Sequence, residues 1–443
     1  MTSIAFVLLL VGFTTASKAD RIDDYVNAEM QKQQLAGVAL AVIKDGKTIK
    51  SKTYGLSNVE LNTPVQAQTV FKIGSVSKQF IAAATLLLAE EGKLQLDDPI
   101  TKYLDGAPAT WDAITIKHVL SHTSGLPRES PGFNALKIQS DAEVIKAAYG
   151  VSFVFQPGEK FEYCNLGYFI LAEIVHKVSA TPWPDFVRQR IFEPLGMMAS
   201  QVTDNRSIIA HRASGYAIAD GNRRNAAILL AVRPSGAFVS SLDNLMKWNA
   251  ALDAGKVLNA ASWDQAWSAV ALKDGSKAPY GLGWYIDDVG PYRMVHHGGA
   301  INGFRAQYSR FDEQKLRIIL LTNAEAARTD LMALRIADQF LPGLLPKRRP
   351  ITLSAEALSS FAGKYEYPGL GISTSTVDGN ALRSHLPAAG PPVRYLPESP
   401  NVFYSEDDPR QIVTFTRDDQ GQAVSIITSN GRELTRGKKL ASN

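Results

Sequence analysis

Apolar positions follow two different periods along this chain, and the switches between them mark out its elements. Residues Arg21 to Gln34 carry apolar side chains at helical spacing. The next stretch, "GVALAVIKDGKTIKSKTYG", reads as a hairpin: an apolar run from Val38 to Ile43, an Asp45-Gly46 turn, and a return strand through Tyr54. From Gly74 to Lys93, "GSVSKQFIAAATLLLAEEGK" is apolar almost all round after its first turn, the pattern of a buried helix, with Gly92 as its stop. Asp97 to Leu272 mixes helical periodicity with Pro/Gly turns, and "NLGYFILAEIVHKVS" is its clearest amphipathic helix. Strand patterns return at "YGLGWYI", "GFRAQYSRF" and "KLRIILLTN", the last two forming a hairpin around Asp312-Glu313. A helix from Ala326 to Phe340 closes this part.

Beyond the Pro-rich linker "LPGLLPKRRP" the texture changes. Short alternating strands are separated by Asp378-Gly379, Asp419-Gln420-Gly421 and Asn430-Gly431. The expectation is a large α/β domain over residues 20–345 and a small all-β domain over 351–443. In the first, strands from both ends build one sheet around an inserted helical region. Lys347-Arg348-Arg349 reads as a solvated stretch of the linker.

Composition narrows the picture only a little. The 443 residues are 45% hydrophobic and 20% charged, the balance of an ordinary globular chain, and the net charge of +4 comes with no basic cluster of a nucleic-acid footprint. Ile4 to Phe13 is an apolar stretch too short to span a bilayer and suited to a signal peptide. Ser17-Lys18-Ala19 ends in small residues, which predicts removal of residues 1–19 and a secreted or periplasmic protein, although no Lys or Arg precedes the apolar run. No later segment reads as a membrane span. The single cysteine, Cys164, cannot form an internal disulfide and reads as a small buried filler.

The chemistry begins with a lysine in an awkward place. Lys78 stands on the first turn of a helix that otherwise asks to be buried, and an unpaired ammonium there is costly. Ser75 precedes it by one helical turn, so both side chains share a face. A lysine whose pKa is lowered by burial can serve as base to such a serine at a helix start, where backbone N–H groups stabilise an oxyanion. Tyr163-Cys164-Asn165 opens the amphipathic helix and brings a phenol that can shuttle protons and an amide that can hold a carbonyl. Tyr25-Val26-Asn27 matches the same spacing but falls in the leading helix, ahead of the Ser/Lys pair. "HHGGAINGF", from His296, sets adjacent glycines before a strand, a backbone that a ligand can approach closely. His118 and His122 have a zinc-compatible spacing but no intervening glutamate, and a Gly-x-Ser-x-Gly elbow is absent. Neither metal nor cofactor is expected.

The order Ser-x-x-Lys, Tyr-x-Asn, His-x-Gly resembles the serine β-lactamase and DD-peptidase family, in its class C and esterase branch. "LSHTSGLP", "FEYCNLGYFILAEIV" and "YGLGW" strengthen the likeness, which runs from about Arg21 to Leu341. The resemblance implies an α/β sandwich, a central antiparallel sheet flanked by helices, with a helical subdomain across the cleft. It further implies that Ser75 is acylated, Lys78 is the adjacent base, Tyr163 moves protons and Asn165 contacts substrate. His297-Gly298-Gly299 would take the place of Lys-Thr-Gly, with the N–H groups of Ser75 and Ala300 as oxyanion hole. Acceptors on Tyr163 and Asn165 would then surround Lys78.

A histidine at 297 titrates near 6.5 and gives a substrate carboxylate little attraction at neutral pH, so Arg305 is the alternative cation. On that basis small esters and amides rank first as substrates, D-amino-acid peptides second and β-lactams third. The competing reading is a catalytically quiet penicillin-binding or sensor protein.

Overall fold

The computed structural model describes residues 18–203, 206–387, 392–429 and 434–440. The predicted signal segment lies outside them up to Ser17, as does the Asn430-Gly431 turn. The chain forms two units, Met1–Asp288 with Tyr292–Gln339, and Val289–Pro291 with Phe340–Asn443. Residues 340–345, expected with the larger domain, therefore group with the C-terminal unit.

The larger unit is built on a seven-stranded antiparallel sheet. Its strands are β1 (Gly37–Lys44), β2 (Lys47–Asn58), β3 (Thr63–Pro64), β4 (Tyr285–Val289), β5 (Tyr292–Ile301), β6 (Phe304–Phe311) and β7 (Leu316–Thr322), in the order β3-β2-β1-β7-β6-β5-β4. The two chain ends thus meet at the β1–β7 pair, where Val38 faces Thr322 and Lys44 faces Leu316. The sequence explains this centre: residues 38–42 and all of β7 are buried, as strands covered on both faces must be. At the β1–β2 turn, Asp45 and Gly46 both take positive φ, 52° and 73°, the two-residue turn that Asp-Gly favours.

Helix α1 (Lys18–Lys32) precedes the sheet, α2 (Lys78–Glu90) and α3 (Leu166–Ser179) pack on each other beside it, and α4 (Thr329–Asp338) follows its last strand. Along α2 every residue from Lys78 to Leu88 is buried, which its Ala-Leu composition anticipates. Three expectations shift in detail. The final helix is shorter than Ala326–Phe340. The middle region also contains a small sheet of Val70–Lys72, Phe238–Ser241 and Gln201–Val202. "YGLGW" is not strand: Gly283 turns at φ +89°, where a β-carbon would come 2.6 Å from Ala82 Cβ, so this segment seats itself on α2.

The C-terminal unit closes a barrel from eight strands: β8 (Gly363–Tyr367), β9 (Gly371–Val377), β10 (Leu382–His385), β11 (Val393–Ser399), β12 (Val402–Ser405), β13 (Ile412–Arg417), β14 (Ala423–Ser429) and β15 (Leu434–Lys439). Closure comes from β8 meeting β15, with Tyr365 opposite Lys439. Phe361, Tyr365, Phe403 and Phe415 are among the side chains filling its core. The basic run at 347–349 is not simply solvated, because Arg348 pairs with Glu398 and lies over the Tyr404 ring.

Candidate active site

A single 3-10 turn, Gly74–Ser77, leads into α2 and carries Ser75. The turn is pressed against β5. At Gly74 (φ +52°) a β-carbon would stand 2.7 Å from the Ala300 nitrogen, and at Gly299 one would stand 1.9 Å from the Ile73 carbonyl oxygen. Only glycine at both places lets the two backbones come this close. Ser75 is partly exposed and Ala300 exposed, so the hydroxyl and the strand meet at an accessible surface. The glycines of "HHGG" lie inside β5, where a strand had been expected to follow them.

Behind Ser75 the surroundings turn dry. Lys78 is fully buried, with its Nζ 3.3 Å from Ser75 Oγ, 2.9 Å from Asn165 Oδ1 and 2.9 Å from the Ser235 carbonyl. Tyr163 contributes differently from expectation. Its ring centroid lies 4.6 Å from Lys78 Nζ, that of Tyr168 lies 5.0 Å from the same atom, and the Tyr163 hydroxyl is within hydrogen-bonding reach of Ser75. Aromatic faces are attractive to a cation. Burial, and then the Arg233 guanidinium, drive the Lys78 pKa well below the ordinary lysine value. Burial acts on Tyr163 in the opposite sense and holds its proton on.

Asn165 caps the start of α3 without a side-chain cap bond, because both ends of its amide are committed elsewhere. Its Oδ1 accepts from Lys78, and its Nδ2 donates to Glu129 Oε1 at 2.6 Å. Glu129 in turn receives Arg233 Nη2 at 2.6 Å. The amide predicted to hold a substrate carbonyl is therefore engaged within the protein.

His297 does not present a charge. It is 1% exposed, and its Nδ1–H donates to the Gly298 carbonyl at 2.7 Å, which leaves Nε2 to accept from Tyr280 Oη at 2.9 Å. Burial and the neighbouring Lys78 push its pKa well below the usual histidine range. Arg305 is not the substitute cation. On β6 its neighbour Ala306 faces Gly299, so Arg305 points to the other side of the sheet, toward Glu325 and Asp330.

The remaining candidates resolve as structure. His118 serves the cap of a short helix, its Nδ1 accepting from Thr115 N at 3.2 Å, while His122 accepts from Cys164 N at 3.1 Å and its ring lies tilted against that of Tyr163, centroids 4.3 Å apart. They share no ligand position, and among the described residues no cluster could hold a metal. Cys164 is buried, its thiol pushed up to about 12 by desolvation, which makes it inert. Tyr25 and Asn27 belong to α1, not to the surroundings of Ser75. Sequence reasoning missed Arg128, Glu129, Arg233 and Ser235. "LSHTSGLP" stopped one residue short of the first, and the Ser235 carbonyl has no residue signature at all.

The comparisons with known proteins identify a serine hydrolase. A model of the β-lactamase family matches residues 22–340. The chain belongs to the β-lactamase family. Penicillin-binding protein 4* of Bacillus subtilis (strain 168) is 29% identical over 316 residues, covering 67% of this chain and 69% of that one. D-aminopeptidase of Brucella anthropi is 27% identical over 422 residues, 92% of this chain and 77% of that one. In fold, the octameric penicillin-binding protein homologue from Pyrococcus abyssi superposes with a TM-score of 0.68 at 22% identity, over 95% of this chain and 99% of that one.

Proposed function

We propose that the protein hydrolyses carboxylic amides and esters through an acyl-enzyme on Ser75. The observation that carries the reading is the fully buried Lys78, 3.3 Å from the Ser75 hydroxyl and biased by desolvation toward its neutral, proton-accepting form. Ser75 Oγ attacks the substrate carbonyl carbon and its proton passes to Lys78 Nζ. The oxyanion is received by the N–H groups of Ser75 and Ala300. Tyr163, kept as a phenol by burial, gives its proton to the departing amine or alcohol as the carbon–heteroatom bond breaks, and is reprotonated from the Lys78 ammonium. Water then repeats the sequence on the ester and releases the acid. Opposite pKa shifts on Lys78 and Tyr163 are what separate base from acid.

The names of the relatives favour amides and peptides of D-amino acids within this class, alongside small esters. An exported protein fits the apolar N-terminal segment, and we place the activity outside the cytoplasm on that ground. The test treats wild type and Ser75→Ala with a fluorophosphonate or a labelled penicillin and weighs the intact chains. An adduct on wild type alone is expected; equal adducts on both remove Ser75 as nucleophile. An adduct without turnover of any ester or amide returns the competing reading, a quiet binding protein.

A further inference from the structure

Seven consecutive apolar residues, Ala226-Ala227-Ile228-Leu229-Leu230-Ala231-Val232, lie in neither helix nor strand, and each is exposed or half-buried. A run of this kind ordinarily ends up in a core. Here it joins a second open stretch. The Leu230 and Ala231 nitrogens both donate to the Ala135 carbonyl, at 2.9 and 3.1 Å, which brings the run against residues 133–138. In that stretch Leu136 and Ile138 are each 64% exposed, and in the first run Ile228 is 68% and Leu230 43% exposed. Among the described residues, these are four of the nine large apolar side chains that the larger unit exposes. Apolar side chains exposed singly are ordinary, whereas four on two joined segments form a patch that needs an occupant.

The patch is continuous with the surroundings of Ser75. Past Val232 the same segment gives Arg233 to Glu129 and the Ser235 carbonyl to Lys78. Arg233 also lies over the Phe133 ring, 4.5 Å from its centroid, which ties the two stretches together a second time. Leu229 and Leu230 line a small cavity with Ile301, the neighbour of Ala300 on β5, and with Gly236, where a β-carbon would stand 3.5 Å from the Gly74 carbonyl carbon. An apolar surface therefore starts beside the turn that carries Ser75 and runs out to Leu136 and Ile138. That continuity selects the occupant, a molecule whose other end is held at Ser75.

We propose that these two stretches form a lipophilic rim that receives an apolar chain of the substrate, so that the protein prefers esters and amides carrying an alkyl chain several carbons long beside the scissile carbonyl. The inference rests on the Ser75 reading above. Its physical basis is removal of apolar surface from water on both partners, which needs no hydrogen-bond donor or acceptor from either segment.

The test follows kcat/KM along two series of substrates kept below their micellar concentrations. 4-Nitrophenyl acetate, butyrate and octanoate lengthen the acyl side, and ethyl, butyl and octyl acetate lengthen the alcohol side. Half-burial of a methylene is worth about twofold, so the step from two carbons to eight should raise kcat/KM at least about tenfold in one of the series. Leu136→Gln/Ile138→Gln/Ile228→Gln should flatten that series. Leu136→Met/Ile138→Met/Ile228→Met, which keeps the apolar area, should retain most of the rise. All three side chains are exposed, so the substitutions leave the core alone, and a thermal melt of each variant checks this. Because the ratio is taken within one variant, a general change of rate cancels. A flat profile in both wild-type series, or a rise that survives the glutamine substitutions, overturns the proposal. Wild type that shows no rise, yet sediments with phosphatidylglycerol vesicles where the glutamine variant does not, assigns the patch to a membrane and overturns it as well. Turnover of no ester by wild type instead removes the hydrolase reading itself.

Discussion

Two adjacent glycines on β5 should respond to the same substitution in opposite ways, and the difference probes how Ser75 is positioned. A β-carbon at position 299 would stand 1.9 Å from the Ile73 oxygen and 3.0 Å from its carbon. Ordinary contact begins near ~3.5 Å, so the backbones must part by ~1.5 Å. The Ile73 carbonyl is the acceptor for Val76 N at 3.3 Å, in the turn that carries Ser75. Pushing it moves Ser75 relative to Ala300. Gly298 faces the other side of the strand, where the nearest atom is Gln307 Oε1 at 3.0 Å, the far end of a side chain that can yield a few tenths of an ångström.

Overpacking at a well-packed contact costs about 1–3 kcal/mol, which a domain of this size survives. A misplacement of about 1 Å at a reacting centre costs about a hundredfold in rate. Gly299→Ala is therefore expected to remain folded, melt somewhat lower than wild type, and lose about two orders of magnitude in kcat/KM for a nitrophenyl ester. Gly298→Ala should stay within several-fold of wild type. The measurement is steady-state turnover beside a thermal melt for each variant. Equal activity in the two variants would refute the argument, because it would mean that the close approach of β5 to the Ser75 turn does not set the reactive geometry.

Lys78→Ala and Tyr163→Phe should each lower ester turnover by orders of magnitude, and the double variant should be little worse, since members of one relay are not additive; multiplying losses would separate them. Turnover should fall as pH drops through the lowered Lys78 pKa, on a limb below the ordinary lysine range. Arg233 is a cation that disfavours the ammonium, so Arg233→Gln raises that pKa and must move the limb to higher pH; a shift downward would contradict the electrostatic account. A chain ending at Pro346 should still fold and cleave small esters, because Ser75, Lys78, Tyr163 and Ala300 all precede the barrel; a folded but inactive product would assign the barrel a part in the site.

The grouping of Ser75, Lys78, Tyr163 and Asn165 was legible because their spacing is local. One turn of helix separates Ser75 from Lys78, and the start of α3 fixes Tyr163 beside Asn165, so short stretches of sequence carry the geometry. What escaped was everything long-range and unsigned. Lys78 was expected to lean on the Tyr163 oxygen, yet its third acceptor is the main-chain oxygen of Ser235, and any residue could supply that atom. Glu129 and Arg233 meet across 104 positions and fix which way the Asn165 amide points. The central sheet was predicted from hydropathy because β1 and β7 are uniformly buried, whereas "YGLGW" read as strand until Gly283 turned it onto α2. In the C-terminal unit alternation revealed strands but not closure, which depends on Tyr365 meeting Lys439 at the far end of the unit.

A histidine at 297, where the resemblance leads one to expect a lysine, becomes intelligible when the charges around Lys78 are taken together. Lys78, His122 and His297 are all buried and all driven toward their neutral forms, and the two histidines each feel Lys78 as a cation. A dry cluster of this size cannot hold several positive charges at once. In the proposed mechanism a proton released by Ser75 must go where it is best compensated. At Lys78 it meets the Asn165 oxygen, the Ser235 carbonyl and two aromatic faces. At His122 one ring nitrogen is already accepting from Cys164 N, and at His297 both are occupied by Gly298 and Tyr280. A neutral ring at 297 thus leaves Lys78, among the described residues around Ser75, as the place where that proton is best compensated.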